Sequence, residues 1–227
     1  MDFCVIMTVW NFARRIEFVV DRALSLFDHL IVLDNGSTDG SAAILRGLAG
    51  KGRVELYSPG RKTERSAGKD GNFLLRKVAP HNPRWVVKLD HDEYFEDALR
   101  DELDRIRTLA PRYGWVKSYR ATLWRGGGSY RKDGRYRWMR ESTMFRWREG
   151  LAYPEDAVHH MERVPAELRR LRGYLTKARL VHLSQVDEDR VRLQIERLKE
   201  CDRDWSESLL PRTVRLRPFR EKFSRKR

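Results

Sequence analysis

Within its first 57 residues the chain alternates strand, helix, strand, helix, strand, an order that points to a parallel, doubly wound sheet. Phe3–Val9 is a continuous apolar run of strand length. Ile16, Val19, Val20, Ala23, Leu24 and Phe27 then recur at helical spacing. Residues 30–33 form a second, β-branched apolar run that ends at Asp34. Ala42, Leu45 and Leu48 carry a short helix closed by Gly50, and Val54–Tyr57 is the third strand.

Residues 73–78 predict another helix. A fourth strand over residues 85–89 runs straight into Asp90-His91-Asp92-Glu93. Leu99, Leu103, Ile106 and Leu109 mark a further helix. Across residues 115–147 aromatics alternate with arginines around Arg125-Gly126-Gly127-Gly128, which predicts two antiparallel strands. Residues 179–183 read as a late strand. Ser184 and Asp187 have capping-box spacing before a helix striped by Val191, Ile195, Leu198 and Cys201. No internal repeat or long linker interrupts the chain. One domain over residues 1–205 and a basic tail over residues 206–227 are expected.

In open α/β sheets, ligands bind beyond the carboxyl ends of the strands. Two polar clusters stand there: Asp34-Asn35 after the second strand, Asp90 and Asp92 after the fourth. Asp34 is placed to hydrogen-bond a base or ribose, and residues 36–41 supply the small residues that let the chain reverse. The same run also reads as a plain turn and helix cap. Asp90 and Asp92, two residues apart, share one side of an extended chain. Paired carboxylates there suit a hard divalent cation such as Mg²⁺ or Mn²⁺, which neutralises a diphosphate leaving group. The alternative is that these acids only favour the start of the following helix.

Taken together, Thr8-Val9-Trp10-Asn11, Asp34-Asn35-Gly36-Ser37-Thr38-Asp39-Gly40-Ser41 and Leu89-Asp90-His91-Asp92-Glu93-Tyr94-Phe95 resemble the family 2 glycosyltransferases of the GT-A fold. The likeness is close over the first half and loose over the second. It implies a Rossmann-like, mixed but mainly parallel sheet flanked by helices, with a short antiparallel region later in the chain. It further implies an inverting, divalent-metal-dependent transfer from a nucleotide-diphosphate sugar, with a UDP-sugar the first choice, to a glycan or lipid-linked acceptor. By that resemblance Thr8, Asn11, Asp34 and Asn35 line the nucleotide pocket, Lys69 reaches the donor, and Asp90 sits near ribose and metal. Asp92 ligates Mn²⁺ or Mg²⁺, and His182 is the matching candidate for a further ligand. Asp156, then His160, are the candidate general bases.

The net charge of +14 bears on partners. Residues 211–227 hold eight basic residues against the single Glu221, half of the whole excess, and read as a mobile arm. Phe219 and Phe223 would share one helical face there, suited with Leu216 to peripheral contact with an anionic membrane. The interleaved aromatics and arginines give the competing reading, a nucleic-acid-binding module without transferase activity. No nucleic-acid motif supports it, and none is expected to bind. Two cysteines, Cys4 and Cys201, make no disulfide framework, and the first residues resemble no signal peptide. A reducing, cytoplasmic setting is therefore expected.

Overall fold

The computed structural model describes residues 1–59, 66–156, 163–187, 189, 191 and 215–221. Strand β1 (Phe3–Val9) is buried at every position but Thr8. Helix α1 (Ile16–Leu26) turns Ile16, Val19, Val20, Ala23 and Leu26 inward, and strand β2 (His29–Asp34) is buried throughout. Strands buried on both faces are what a parallel sheet sandwiched by helices requires. Helix α2 (Ser41–Ala49) leads to the short β3 (Val54–Tyr57).

Helix α3 (Ala67–Val78) starts six residues before the predicted run. Its first turns bury Gly68, Asp70 and Gly71, so they carry no apolar stripe to read. A Cβ on Gly68 would stand 1.8 Å from the Pro154 carbonyl oxygen, which shows how closely this helix approaches the 153–155 loop. Ser66 caps the helix by accepting from the Lys69 amide.

Strand β4 (Trp85–Asp90) is followed after a turn by β5 (Glu93–Phe95) and by α4 (Arg100–Arg107). Helix α4 has Asp101 and Glu102 in its first turn and arginines in its last, matching the helix dipole. Then come β6 (Tyr113–Trp124), β7 (Ser129–Arg131), β8 (Arg140–Arg146), the short α5 (Ala166–Arg169), β9 (Arg172–Gln185) and β10 (Leu216–Pro218).

The sheet runs β10-β7-β6-β8-β4-β1-β2-β3. Parallel ladders join β3, β2, β1 and β4, while β8 pairs antiparallel with β4 and β6. Because β2 lies on one side of β1 and β4 on the other, the strand order reverses at the carboxyl end of β1. One apolar core lies on the α1 side, with Val5, Met7, Val9 and Val20; the other lies on the α3 side, with Cys4, Ile6, Leu74 and Leu75.

Three expectations change. The predicted two-strand hairpin is a three-strand antiparallel unit with β6 in the middle, because the Arg125–Gly127 turn opens into only the short β7 on one edge of β6 before β8 returns along its other edge. The late strand is 14 residues long; its half-exposed first part, beginning at Arg172, had no apolar run to reveal it. Ser184 is no helix cap: it lies inside β9, with its hydroxyl on the His182 ring. Ile195, Leu198 and Cys201 of the predicted helix lie outside the described residues.

Of the basic tail, residues 215–221 lie on the sheet. Strand β10 pairs with β7, and Phe219 packs against the Tyr130 ring at 6.4 Å. Residues 216–218 are extended, so Phe219 does not sit on the expected helical face; Phe223 lies outside the described residues. Among the described residues, no helix is long and apolar enough to cross a membrane.

Candidate active site

Strand register brings Thr8 beside Asp90 and Val9 beside Asp34, so the loops after β1, β2 and β4 converge at one end of the sheet. The first two loops are tied together by polar side chains. Asn11, at a positive φ of 48°, donates its backbone amide to Ser37 Oγ at 3.0 Å. Its side-chain oxygen accepts from the Thr38 amide at 2.8 Å. The Asp39 carboxylate accepts from the amides of Ala13 and Ser41 at 2.8 and 3.0 Å. Although burial opposes it, those bonds, led by that from the Ser41 hydroxyl, hold the Asp39 carboxyl below its ordinary range. Ser37, Thr38, Asp39 and Ser41 are therefore scaffold.

Asp34 is buried, and its two oxygens accept from the Ser37 amide and the Ser58 hydroxyl at 3.2 and 3.0 Å. Asn35 donates to Asp70 on α3 at 2.6 Å. Its Oδ1 is buried with no hydrogen-bond partner among the described residues. A buried acceptor left open costs free energy until something fills it.

At the end of β4 the chain turns at His91 and Asp92, so the two aspartates do not continue one extended strand as expected. The turn gives each a different partner. Asp90 meets Arg163 at 2.7 Å; burial opposes ionisation, but the guanidinium keeps this carboxyl below its usual range. Glu93 is fully buried, accepts from the Asp90 amide at 3.1 Å and takes two hydrogen bonds from Arg163. Burial pushes Glu93 up to about 7 against the pull of Arg163. His91 pins the turn to β1 through Nδ1 and the Thr8 carbonyl, 3.1 Å apart, with its ring edge-on to Phe12.

His182 reaches this corner from β9, opposite Glu93 of β5 on one side and Thr122 of β6 on the other. Its Nε2 is 3.5 Å from Asp92 Oδ1, and Nδ1 is 2.9 Å from the Ser184 hydroxyl. Burial, reinforced by Arg120, pushes His182 down to about 3, so the ring is neutral. A neutral imidazole beside a carboxylate is a usable pair of divalent-metal ligands. Neighbouring ligands on octahedral bonds stand about 3 Å apart, close to the Asp92–His182 spacing. Asp92 Oδ1 and His182 Nε2 thus offer one oxygen and one nitrogen donor for a divalent cation, with the Thr122 hydroxyl buried beside them; Arg120 Nη2 lies 2.7 and 2.9 Å from the two ring nitrogens, so the guanidinium has to swing away for Nε2 to ligate.

Lys69 is exposed in the first turn of α3. Asp156 is exposed just past a loop stapled to α3, where Asn72 and Tyr153 exchange hydrogen bonds of 2.9 and 2.7 Å. His160 lies outside the described residues. Sequence reasoning missed Arg163, Glu93, Arg120 and Ser184. Glu93 stood within the acidic run, but nothing local marks an arginine 70 residues away as its partner.

A cavity of about 340 Å³ opens beyond Arg120, lined also by Lys132, Arg137, Lys177, Arg179 and Tyr119. Part of the arginine–aromatic alternation that motivated a nucleic-acid module is used within the fold, buried Arg131 lying 3.9 Å over Tyr136 and 5.2 Å over Trp124, while Trp138 of the same stretch is exposed. Such internal stacking leaves the buried Tyr136 ring unavailable as a base platform.

The family model described as Glycosyl transferase family 2 matches residues 4–153. No curated protein matches the chain. Among solved structures, S. aureus TarS superposes with a TM-score of 0.58 at 15% identity, covering 92% of this chain and 42% of TarS. A mannosyltransferase from Pyrobaculum calidifontis, in complex with GDP-Man and Mn²⁺, gives 0.57 at 17% identity, covering 94% of this chain and 65% of that one. A shorter form of S. aureus TarS in complex with UDP-GlcNAc gives 0.53 at 14% identity, covering 92% and 70%. The chain thus spans less than two thirds of the length of TarS and of the mannosyltransferase, and the likeness is one of GT-A fold.

Proposed function

The chain belongs to glycosyl transferase family 2, and on that premise we propose that it moves a sugar from a nucleotide-diphosphate donor to an acceptor hydroxyl with inversion. The observation that carries this reading is the meeting of Asp90, Asp92 and His182 beside the Asp34–Asn35 loop, at the reversal point of the sheet. Asp34 and Asn35 hold the nucleoside, with the open Asn35 oxygen accepting from it. Thr8 and Asn11 shape the wall of that pocket, and Lys69 faces the phosphates. Asp90, kept ionised by Arg163, binds near the ribose.

Asp92 and neutral His182 are the residues that hold a divalent cation, Mn²⁺ or Mg²⁺. When bound, such an ion supplies Lewis-acid neutralisation of the departing diphosphate. Ser184 orients His182 from behind. The acceptor oxygen bonds to the anomeric carbon as the carbon–oxygen bond to the diphosphate breaks. The acceptor proton passes to Asp156, or to His160 if Asp156 is not the base. The cationic cavity beyond Arg120 suits a glycan or lipid-linked acceptor carrying acidic groups.

A panel of nucleotide-diphosphate sugars tests the reading, with UDP-sugars first and GDP-sugars second, each with Mn²⁺, with Mg²⁺ and with EDTA. Release of one nucleotide diphosphate and a metal-dependent rise in melting temperature with the same nucleotide are expected. No release and no thermal shift with any nucleotide would overturn it.

A further inference from the structure

At the end of the sheet opposite Asp34 and Asp90, three metal-ligand side chains converge that the proposed transferase does not use. His29 opens β2, Glu55 is the second residue of β3, and His81 closes the Ala79–His81 turn after α3. His29 and Asp34 terminate the same strand, about 16 Å apart at the rise of a parallel strand.

Both imidazoles address one oxygen. His29 Nε2 is 3.0 Å and His81 Nε2 is 2.7 Å from Glu55 Oε1. The ring centroids lie 4.7 Å apart. Tyr57 donates to the other carboxylate oxygen at 2.9 Å, which turns Oε1 toward the histidines. All three donor atoms lie within 4.8 Å of one another. The His29 side chain is 11% exposed, His81 23% and Glu55 33%, so the group is walled by protein on one side and open to water on the other.

We propose that His29, Glu55 and His81 form a binding site for a borderline transition-metal ion of the Zn²⁺ class, with water in the fourth position. Two imidazole nitrogens and one carboxylate oxygen make a borderline ligand set, which suits Zn²⁺ and not the all-oxygen preference of Mg²⁺ or Ca²⁺. The donor atoms now stand at hydrogen-bond spacing. Around a tetrahedral ion with bonds of 2.0–2.1 Å they stand about 3.4 Å apart. Ion entry therefore opens the group by a few tenths of an ångström and needs each imidazole to present the Nε2 lone pair, with its ring proton on Nδ1. Cys4, opposite His29 in the β1–β2 ladder, is not among the donor atoms that come within 4.8 Å of one another. An ion here ties the edge strand β3 and the end of α3 to β2.

This inference does not rest on the transferase reading, and its test is independent of donor turnover. The full chain, stripped with a chelator, is titrated with Zn²⁺ against a chromophoric competitor, as wild type and as Asp92→Asn. One equivalent is expected in Asp92→Asn, where the Asp92–His182 pair no longer competes, and the histidine substitutions are made in that background. His29→Gln/His81→Gln loses it, with affinity falling about 100-fold or more. His81→Gln alone, at the more exposed position, shows the same loss should the double variant fold poorly, and Co²⁺ gives visible absorption in Asp92→Asn but not once His81→Gln is added. Zn²⁺ affinity unchanged by His81→Gln, or no equivalent bound by Asp92→Asn, would overturn the site.

Discussion

Arg163 meets the fully buried Glu93 through both terminal guanidinium nitrogens, at 2.5 and 2.8 Å. Removing one partner of such a pair strands the other charge in a poorly solvated place. Arg163→Met is therefore expected to cost about 3–5 kcal/mol in denaturant unfolding. Adding Glu93→Gln, which removes the stranded charge, returns a large part of that loss. Strict additivity of the two substitutions would show that the contact is not a coupled pair.

Lys88 offers a pH signature. Burial pushes it down to about 8, offset in part by Asp90, and its amino group lies 4.3 Å over the Tyr153 ring. A lysine depressed below its unfolded value of 10.5 destabilises the fold while charged, and that cost is relieved as pH rises from about 8 toward 10.5. Lys88→Met is expected to be more stable than wild type at pH 7, with the difference shrinking by pH 9.5. Urea midpoints at the two pH values check this; a difference independent of pH contradicts it.

Gly68 is needed for contact between α3 and the 153–155 loop. Gly68→Ala drives a methyl into the Pro154 backbone and is expected to cost about 3 kcal/mol. Gly47 is the control, because a Cβ there meets nothing within 4 Å in the helix α2. Gly47→Ala should stabilise by about 0.5–1 kcal/mol. Equal effects at both positions would remove the packing argument.

Much of the first half was legible because its four parallel strands, β1 to β4, are short, largely apolar runs separated by helices. Phe3–Val9 and Val54–Tyr57 match the observed strands residue for residue. The second half was harder to read for a physical reason. Strand β9 begins half-exposed, and β6 to β8 bury arginines such as Arg131 under aromatic rings, which mimics a surface. In the site, Asp90 and Asp92 stood out as carboxylates following a strand, and His182 was legible only through the family resemblance. Arg163 and Ser184 were not legible, since their significance lies in contacts made across the fold.

Ser184 separates positioning from structure. It bonds His182 Nδ1 at 2.9 Å, the arrangement by which an outer group fixes a ligating histidine. Ser184→Ala is expected to weaken Mn²⁺ binding about 10–100-fold with little change in melting temperature. Isothermal titration with Mn²⁺ and nucleotide diphosphate reads it, and Ser184→Thr should recover most of the affinity. Unchanged affinity in Ser184→Ala would mean that the hydroxyl does not position the ring.

The most direct test of the central claim is nucleotide-diphosphate release from the preferred donor by wild type and Asp92→Asn, each with saturating Mn²⁺ and with excess EDTA. Metal-dependent release by wild type is expected, falling about 100-fold or more in Asp92→Asn while the circular dichroism spectrum and unfolding midpoint stay close to wild type. Release that survives EDTA, or that Asp92→Asn carries out at the wild-type rate, would contradict the account.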